Sequence, residues 1–176
     1  EHYPRRDCID ALRGTRFYYH AHAAAERAEG EHGHFHLFVK PPGTEAGAFS
    51  HLVGLSLDAR GRPLRWFTTN RWVTGEHWLD AGSMAGSLTG FEVRASGRLA
   101  PVARWLSALV ALYADELSGL LHARDTRLIE HARARSLSPE AALEDRDLHI
   151  VTQRPIDLLP RLAAVCPAAS FPGDNP

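Results

Sequence analysis

The spacing of apolar residues changes near Leu99, and this change constrains the fold of the 176-residue chain more than any other feature. Before Leu99, apolar and polar residues alternate over several short segments, which is typical of β-strands with one buried face. After Leu99, apolar residues recur at spacings of three and four, which is typical of amphipathic helices. The sequence therefore predicts an α+β fold, in which an antiparallel β-sheet or small barrel from the N-terminal half packs against C-terminal helices.

The alternating segments before Leu99 are predicted to be strands. Four of them are clear, 16–22, 34–40, 51–58 and 63–69, and 91–95 could add a fifth. A last strand is predicted after the helices, at 149–153. The turn residues 59–62 indicate a hairpin between the third and fourth strands. Residues 70–78 are predicted to form a short strand or a surface loop, and the glycine-rich run 81–90 is predicted to be a loop.

The C-terminal half is predicted to be helical. The helices cover 99–122, 125–135, 138–144 and 157–165, the second being either a continuation of the first or a separate helix. Ser138 is the predicted N-cap of the third, because serine at that position accepts a hydrogen bond from a free amide of the first turn. No repeat or linker divides the chain, so we expect a single α+β domain over residues 1–176.

Charge and cysteine content exclude several classes of partner. Twenty basic and 21 acidic side chains leave a formal net charge of -1, so no strong field favours nucleic acid or an anionic membrane. Cys8 and Cys166 lack the spacing of a thiolate zinc site and the number of a disulfide framework, although one bridge between them stays open. The longest apolar stretch, 106–113, is shorter than the roughly 20 residues that cross a membrane. We expect a cytoplasmic protein. Because the chain begins at Glu1, the sequence leaves open whether further residues precede it.

Histidines are concentrated in the first third of the chain. Six of the 11 lie between residues 20 and 51: His20, His22, His32, His34, His36 and His51. Because successive side chains of a strand point to opposite faces, His20 and His22 share one face of the first predicted strand. The same rule places His32, His34 and His36 on one face of the second. Each strand thus has an apolar side for packing and an imidazole side for chemistry.

The two imidazole sides meet only if the strands pair in the right register. With His22 opposite His34, and therefore His20 opposite His36, all four rings lie on one side of the sheet with opposed Cβ atoms about 5 Å apart. A shift of one residue would separate the two sets. Four converging neutral imidazoles can bind iron, copper or zinc, and ligand type alone does not decide which.

A carboxylate from the connecting segment could complete the metal site. Glu31 is the first candidate and Glu26 the alternative; if only two histidines bind, either would give the two-histidine, one-carboxylate set of non-haem iron oxygenases. The predicted metal ligands are therefore His20, His22, His34, His36 and Glu31.

The segment 14–33 resembles the first motif of the cupin family. That motif places a glycine before an HxH pair, then a glutamate and a second glycine at set spacings, and Gly14, His20, His22, Glu26 and Gly33 match it. The resemblance implies a β-barrel that holds a metal through histidines and a glutamate, often for dioxygenase or isomerase chemistry. The second cupin motif is not present in matching form. The runs EHGHFHLF and FTTNRWVTGE also resemble an uncharacterised bacterial family, which implies no activity.

A second polar and aromatic group lies at 70–78. Asn70, Arg71 and Trp72 are predicted to bind substrate, with Arg71 on an anionic group. Glu76 and Tyr18 are predicted to act in proton transfer or to support the site. The alternative for this stretch is a well-packed turn with a surface arginine stacked on tryptophan.

The function predicted from these residues is that of a mononuclear non-haem metalloenzyme of oxygenase type acting on a small organic substrate. The pattern gives no substrate identity and no oligomeric state. Three alternatives stay open: a copper or zinc carrier whose four histidines close around the ion, a haem-binding or organic-ligand-binding domain, and histidines with a purely structural role.

Overall fold

A computed structural model of the protein describes residues 1–165 except residues 24, 26 and 46. Six strands form one antiparallel sheet, ordered in the sheet as they are in the chain. They are β1 (His2–Asp10), β2 (Thr15–His20), β3 (Gly33–Val39), β4 (Ser50–Leu57), β5 (Pro63–Thr69) and β6 (Ile150–Pro155). No ladder joins β1 to β6 in this part of the chain, so the sheet is open and the barrel alternative does not apply.

In the described part of the chain six α-helices accompany the sheet, five of them between β5 and β6. They are α1 (Arg71–Thr74), α2 (Ala81–Thr89), α3 (Ala100–Leu112), α4 (Ala114–Ala134), α5 (Pro139–Leu143) and α6 (Leu158–Val165). Asn70, Asp80 and Ser138 cap α1, α2 and α5, because each side chain accepts a hydrogen bond from a backbone N–H at the start of its helix. The cap predicted at Ser138 is thereby confirmed.

One face of the sheet forms the hydrophobic core with the helices. Phe17, Leu37, Val53, Leu55 and Trp66 point from β2–β5 into this core and are at most 1% exposed. They pack against buried side chains of the helices, Met84 of α2, Leu106 and Val110 of α3, and Leu117 and Leu121 of α4. At roughly 1.5–3 kcal/mol for each fully buried side chain, these contacts are a main source of stability. The predicted α+β fold, with helices from the C-terminal half on the sheet, is confirmed.

The opposite face carries the chemistry-bearing side chains. Residues two apart along a strand share a face, so β2 presents Tyr18 and His20 there, and β3 presents His34 and His36. Phe67 of β5 joins them. These five residues define what we call the histidine face.

Several sequence-based expectations for individual elements are wrong. The alternation of apolar and polar residues did not predict strand β1 at His2–Asp10. The run 81–90, expected to be a loop, is helix α2, because Asp80 caps it and its buried residues pack on α4. Residues 91–95 are not a strand, since the backbone N–H of Val93 donates to Ser107 Oγ at 3.0 Å instead of to a neighbouring strand. The helix expected over 99–122 ends at Leu112, because Tyr113 leaves helical geometry with φ -110 and ψ 16.

Among the described residues, no helix is both long enough and apolar enough to cross a membrane.

Candidate metal centre

Three imidazoles converge where strands β2 and β3 meet the loop that connects them. His20 ends β2, His22 follows it, and His34 lies opposite His20 in the β2–β3 ladder. One nitrogen of each ring lies within 4.8 Å of a nitrogen of the other two. The nitrogens around a tetrahedral zinc ion lie about 3.3 Å apart, given Zn–N bonds of about 2.0–2.1 Å. At the widest observed separation the nitrogens would therefore have to move closer together to share one ion.

The observed register differs from the predicted one by two residues. His20, not His22, lies opposite His34, and Tyr18 takes the place opposite His36 that was expected for His20. A shift of two keeps every side chain on its face, which is why the histidines still share one side of the sheet. The long connection between β2 and β3 does not fix the register as a tight turn would. The shift leaves His36 outside the group of three.

Glu31 is hydrogen-bonded to Nδ1 of His34. Its Oε1 lies 2.7 Å from His34 Nδ1, and its Oε2 accepts hydrogen bonds from Ser56 at 2.7 Å and from Arg65 at 2.5 Å. Burial alone would raise the pKa of Glu31, but the hydrogen bonds from His34 and Ser56 and the charge of Arg65 bring it below its ordinary value. The carboxylate is therefore ionised and fixes His34 with Nε2 as the nitrogen available to an ion.

This carboxylate–histidine pair matches the usual surroundings of metal-binding histidines, which donate their other ring N–H to a carboxylate or carbonyl. Glu31 was predicted to be a ligand, but it is not among the residues whose donor atoms converge. The structure places it behind a ligand candidate instead. Glu26, the alternative carboxylate, lies outside the described residues, as does Cys166.

The ring of His20 is suited to a cation because it is neutral. Burial, followed by the neighbouring charges of His22 and His34, lowers the pKa of His20 to about 4. A neutral imidazole keeps a lone pair for a metal, whereas a protonated one does not. The ring centroids of His20 and His22 are 4.4 Å apart and those of His22 and His34 are 5.4 Å apart. This crowding adds to burial in disfavouring a proton on His20.

A second pair of histidines lies deeper in the same face. His36 Nδ1 is 3.0 Å from His51 Nε2, and His51 Nδ1 is 3.2 Å from Thr69 Oγ1. All three residues are buried. Burial and then the charge of Arg124 lower the pKa of His51 to about 3, and burial with the charge of His51 lowers the pKa of His36 well below its ordinary value. Both rings are therefore neutral.

The proton order in this hydrogen-bonded chain has two solutions. If the Thr69 hydroxyl donates to His51, then His51 donates to His36, and His36 Nε2 carries a hydrogen. In the reverse order, His36 Nε2 is an acceptor. Neither order changes the net charge of the buried pair. His36, predicted as a ligand, is thus placed as a neighbour that can offer a donor or an acceptor.

A cavity of about 400 Å³ opens beside the three imidazoles. Its lining includes the predicted residues Tyr18, His20, His22, Glu31, His34, His36 and Trp72, together with Phe67 and His149, which were not predicted as site residues. Phe67 can pack directly over Gly54 because that residue has no side chain: a Cβ there would collide with the Phe67 ring. The ring stands edge-on to His34 and His36, with centroids 5.3 and 5.7 Å away. His149 comes from the loop before β6, far along the chain from the other histidines.

Other predicted site residues lie away from this cavity. Asn70 is fully buried as the cap of α1 and donates through Nδ2 to the carbonyl of Ala142 at 2.8 Å. Arg71 pairs with Glu144 at 2.7 Å and with Glu140 at 3.1 Å on the surface. Neither side chain lines the cavity. They hold α1 to α5 and thereby position Trp72.

Glu76 lines a separate pocket of about 680 Å³ that also contains Arg16. It accepts a hydrogen bond from the backbone N–H of His51. Burial raises the pKa of Glu76 to about 8, against the opposing effect of that hydrogen bond and the charge of Arg124. His32 also lies outside the group of three imidazoles. Its Nδ1 is 2.8 Å from the hydroxyl of Tyr19, and the Tyr19 ring packs on the core side of the sheet.

Fold and site together define an α+β protein whose open six-stranded meander carries an imidazole-lined cavity on the face opposite its main helices. The chain belongs to the family described as "Domain of unknown function (DUF6969)", whose model matches residues 1–156. This confirms the resemblance to an uncharacterised family, while nothing supports the cupin resemblance. Comparison with curated proteins and with solved structures gave no match.

Proposed function

We propose that this protein binds one transition-metal ion through His20, His22 and His34 and uses it in a reaction of a small organic substrate. The observation that carries the proposal is that three ring nitrogens lie within 4.8 Å of one another. One of the three rings, His34, is also hydrogen-bonded to the carboxylate of Glu31. Surface histidines need no such support. The buried carboxylate of Glu31, held by Ser56 and Arg65, is instead what a metal-binding histidine requires.

Three protein ligands leave coordination positions open, which supports catalysis over storage. A catalytic ion keeps at least one position for water or substrate, whereas a carrier or structural ion is enclosed by protein ligands. The cavity beside the three histidines provides room for such a ligand. Iron, copper and zinc all bind imidazole. A non-haem enzyme of oxygenase type is the more specific form of the proposal, and a cytoplasmic location stays a prediction from the sequence.

Metal analysis of protein purified without a nickel column tests the proposal. We expect about one iron, copper or zinc ion per chain, or uptake of one ion with a higher melting temperature, since a ligand that binds only the folded state stabilises it. Azide or nitric oxide should then change the spectrum of the bound iron or copper, because an open position accepts them. No metal uptake and an unchanged melting temperature would contradict the proposal.

A metal-free domain that binds an organic ligand is the second candidate. It is favoured by the aromatic side chains of Tyr18, Phe67 and Trp72 in the cavity wall. The same metal analysis separates the two functions, because a metal-free domain takes up no stoichiometric ion. Its binding of an organic ligand should also be unaffected by a chelator.

A further inference from the structure

The cavity wall holds two aromatic planes that are fixed before any ligand binds. The indole N–H of Trp72 donates to the carbonyl of Leu148 at 3.0 Å. The guanidinium carbon of Arg146 lies 5.0 Å from the centre of the indole ring. The Phe67 ring packs over Gly54 and stands edge-on to His34 and His36. Aromatic surfaces that are already ordered bind a flat ligand without a further loss of side-chain entropy.

The charges in the wall cancel. Within the described residues, the formally charged side chains that line the cavity are Glu31 and Arg65, and they pair with each other at 2.5 Å. A carboxylate, phosphate or ammonium group on a ligand would therefore find no free countercharge in the protein wall, and burying an unpaired charge is costly. Apart from one group that the metal ion itself would meet, the wall therefore favours a ligand without further charges.

The imidazoles give the cavity groups that can bind a metal or form a hydrogen bond with a ligand. His36 uses Nδ1 for His51, which leaves Nε2 for a ligand. The ring of Tyr18 lies beside that of His36, with centroids 5.1 Å apart and planes tilted by 40°. An apolar side chain, Ile150, lines the cavity as well. A flat molecule that carries hydroxyl oxygen can meet the imidazoles through that oxygen and the aromatic and apolar side chains through its ring.

From these observations we propose that the site takes a small, uncharged aromatic ring bearing hydroxyl groups, with one hydroxyl oxygen on the metal and the ring against Trp72 and Phe67. This inference rests on the proposed metal centre and adds the class of its ligand. A volume of about 400 Å³ is in the usual range for a small-molecule site and accommodates one such ring.

Oxygen-free titration of the cobalt-loaded protein tests the proposal, with catechol as the aromatic probe, succinate as a charged probe without a ring, and azide as a small probe of the metal. The visible bands of cobalt report on each. Trp72→Leu should weaken catechol binding about tenfold, as expected for loss of one aromatic contact. Azide affinity and cobalt content should change less than twofold. Phe67→Leu provides an independent second variant.

The outcomes separate this inference from the metal proposal. Absence of cobalt uptake by the unaltered protein would overturn both. Cobalt uptake with catechol affinity unchanged in both variants, or with succinate binding more tightly than catechol, would overturn the aromatic ligand alone. Tighter binding of catechol that both variants weaken, with azide unaffected, is the expected result.

Discussion

His34 and His36 are separated by one residue on β3 and their ring centroids are only 4.9 Å apart, yet they differ in the partner of Nδ1. His34 is bonded to an ionised carboxylate, whereas His36 is bonded to the neutral ring of His51. A carboxylate partner makes the opposite nitrogen a better metal ligand and fixes its direction. A neutral partner leaves the second ring able to donate or accept. The hydrogen bond behind each imidazole, more than its place on the strand, thus sets its chemistry.

The largest expected effect comes from exchanging each of these two histidines for glutamine. His34→Gln should abolish stoichiometric metal binding, because it removes one of three ligands and leaves the Glu31 carboxylate without its partner. His36→Gln should retain close to one ion per chain. Metal content after dialysis, measured side by side, checks the pair. Equal loss in both variants would mean that His36 is a ligand, as the sequence alone suggested.

The carboxylate behind His34 provides a smaller and more specific test. Glu31→Gln keeps the shape of the side chain but removes its charge, so metal affinity should fall roughly 10–100-fold. Glu29→Gln, in the same loop but exposed, should leave the affinity unchanged. Competition with a chromogenic chelator gives both values. Unchanged affinity in Glu31→Gln would show that the carboxylate does not support a ligand.

Both histidines touch Phe67, so moving that ring should disturb the face as a whole. Gly54→Ala places a methyl group against the Phe67 ring and should lower the free energy of unfolding by about 1–3 kcal/mol, the usual cost of overpacking. Gly86→Ala in α2 meets no atom within 4 Å and should be neutral or stabilising. Urea unfolding of both variants checks this. A fully stable Gly54→Ala would mean that the ring is free to move.

The buried pair should make the metal-free protein sensitive to acid. His51 has a pKa of about 3 when folded and an ordinary pKa near 6.5 when unfolded, so protons bind preferentially to the unfolded chain. Its stabilising contribution is complete above pH 6.5 and is lost as the pH falls from there toward 3. The slope is at most about 1.4 kcal/mol per pH unit.

Urea unfolding in EDTA between pH 7 and pH 5 measures that slope. His51→Gln should be less stable than the unaltered protein at pH 7 but should lose stability less steeply below pH 6.5. Parallel curves for the two proteins would show that His51 is not held neutral by burial.

Short-range patterns in the sequence were enough to predict which face of each strand carries the histidines. The period of two placed His20, His34 and His36 on one side of the sheet, and the apolar partners Phe17 and Leu37 in the core. The error of two residues in register did not matter for the face, since a strand repeats every two residues. It did matter for the ligand set, because it moved His36 away from His20.

Long-range packing accounts for most of what the sequence did not reveal. Asn70 and Arg71 look like ligand-binding groups until α5 folds against α1 and takes up their hydrogen bonds. His149 enters the cavity through the pairing of β5 with β6, which are about 80 residues apart. For α2 a signal existed: Ala81, Met84 and Leu88 recur at helical spacing on its buried side, but the glycines outweighed it.

X-ray absorption at the metal edge of the loaded protein tests most directly the claim that three imidazoles hold one ion with positions left open. The account predicts three imidazole nitrogens at about 2.0–2.1 Å for zinc, together with at least one oxygen ligand that azide or catechol displaces. A shell of four imidazoles without exchangeable oxygen, or one with fewer than three imidazoles, would contradict it.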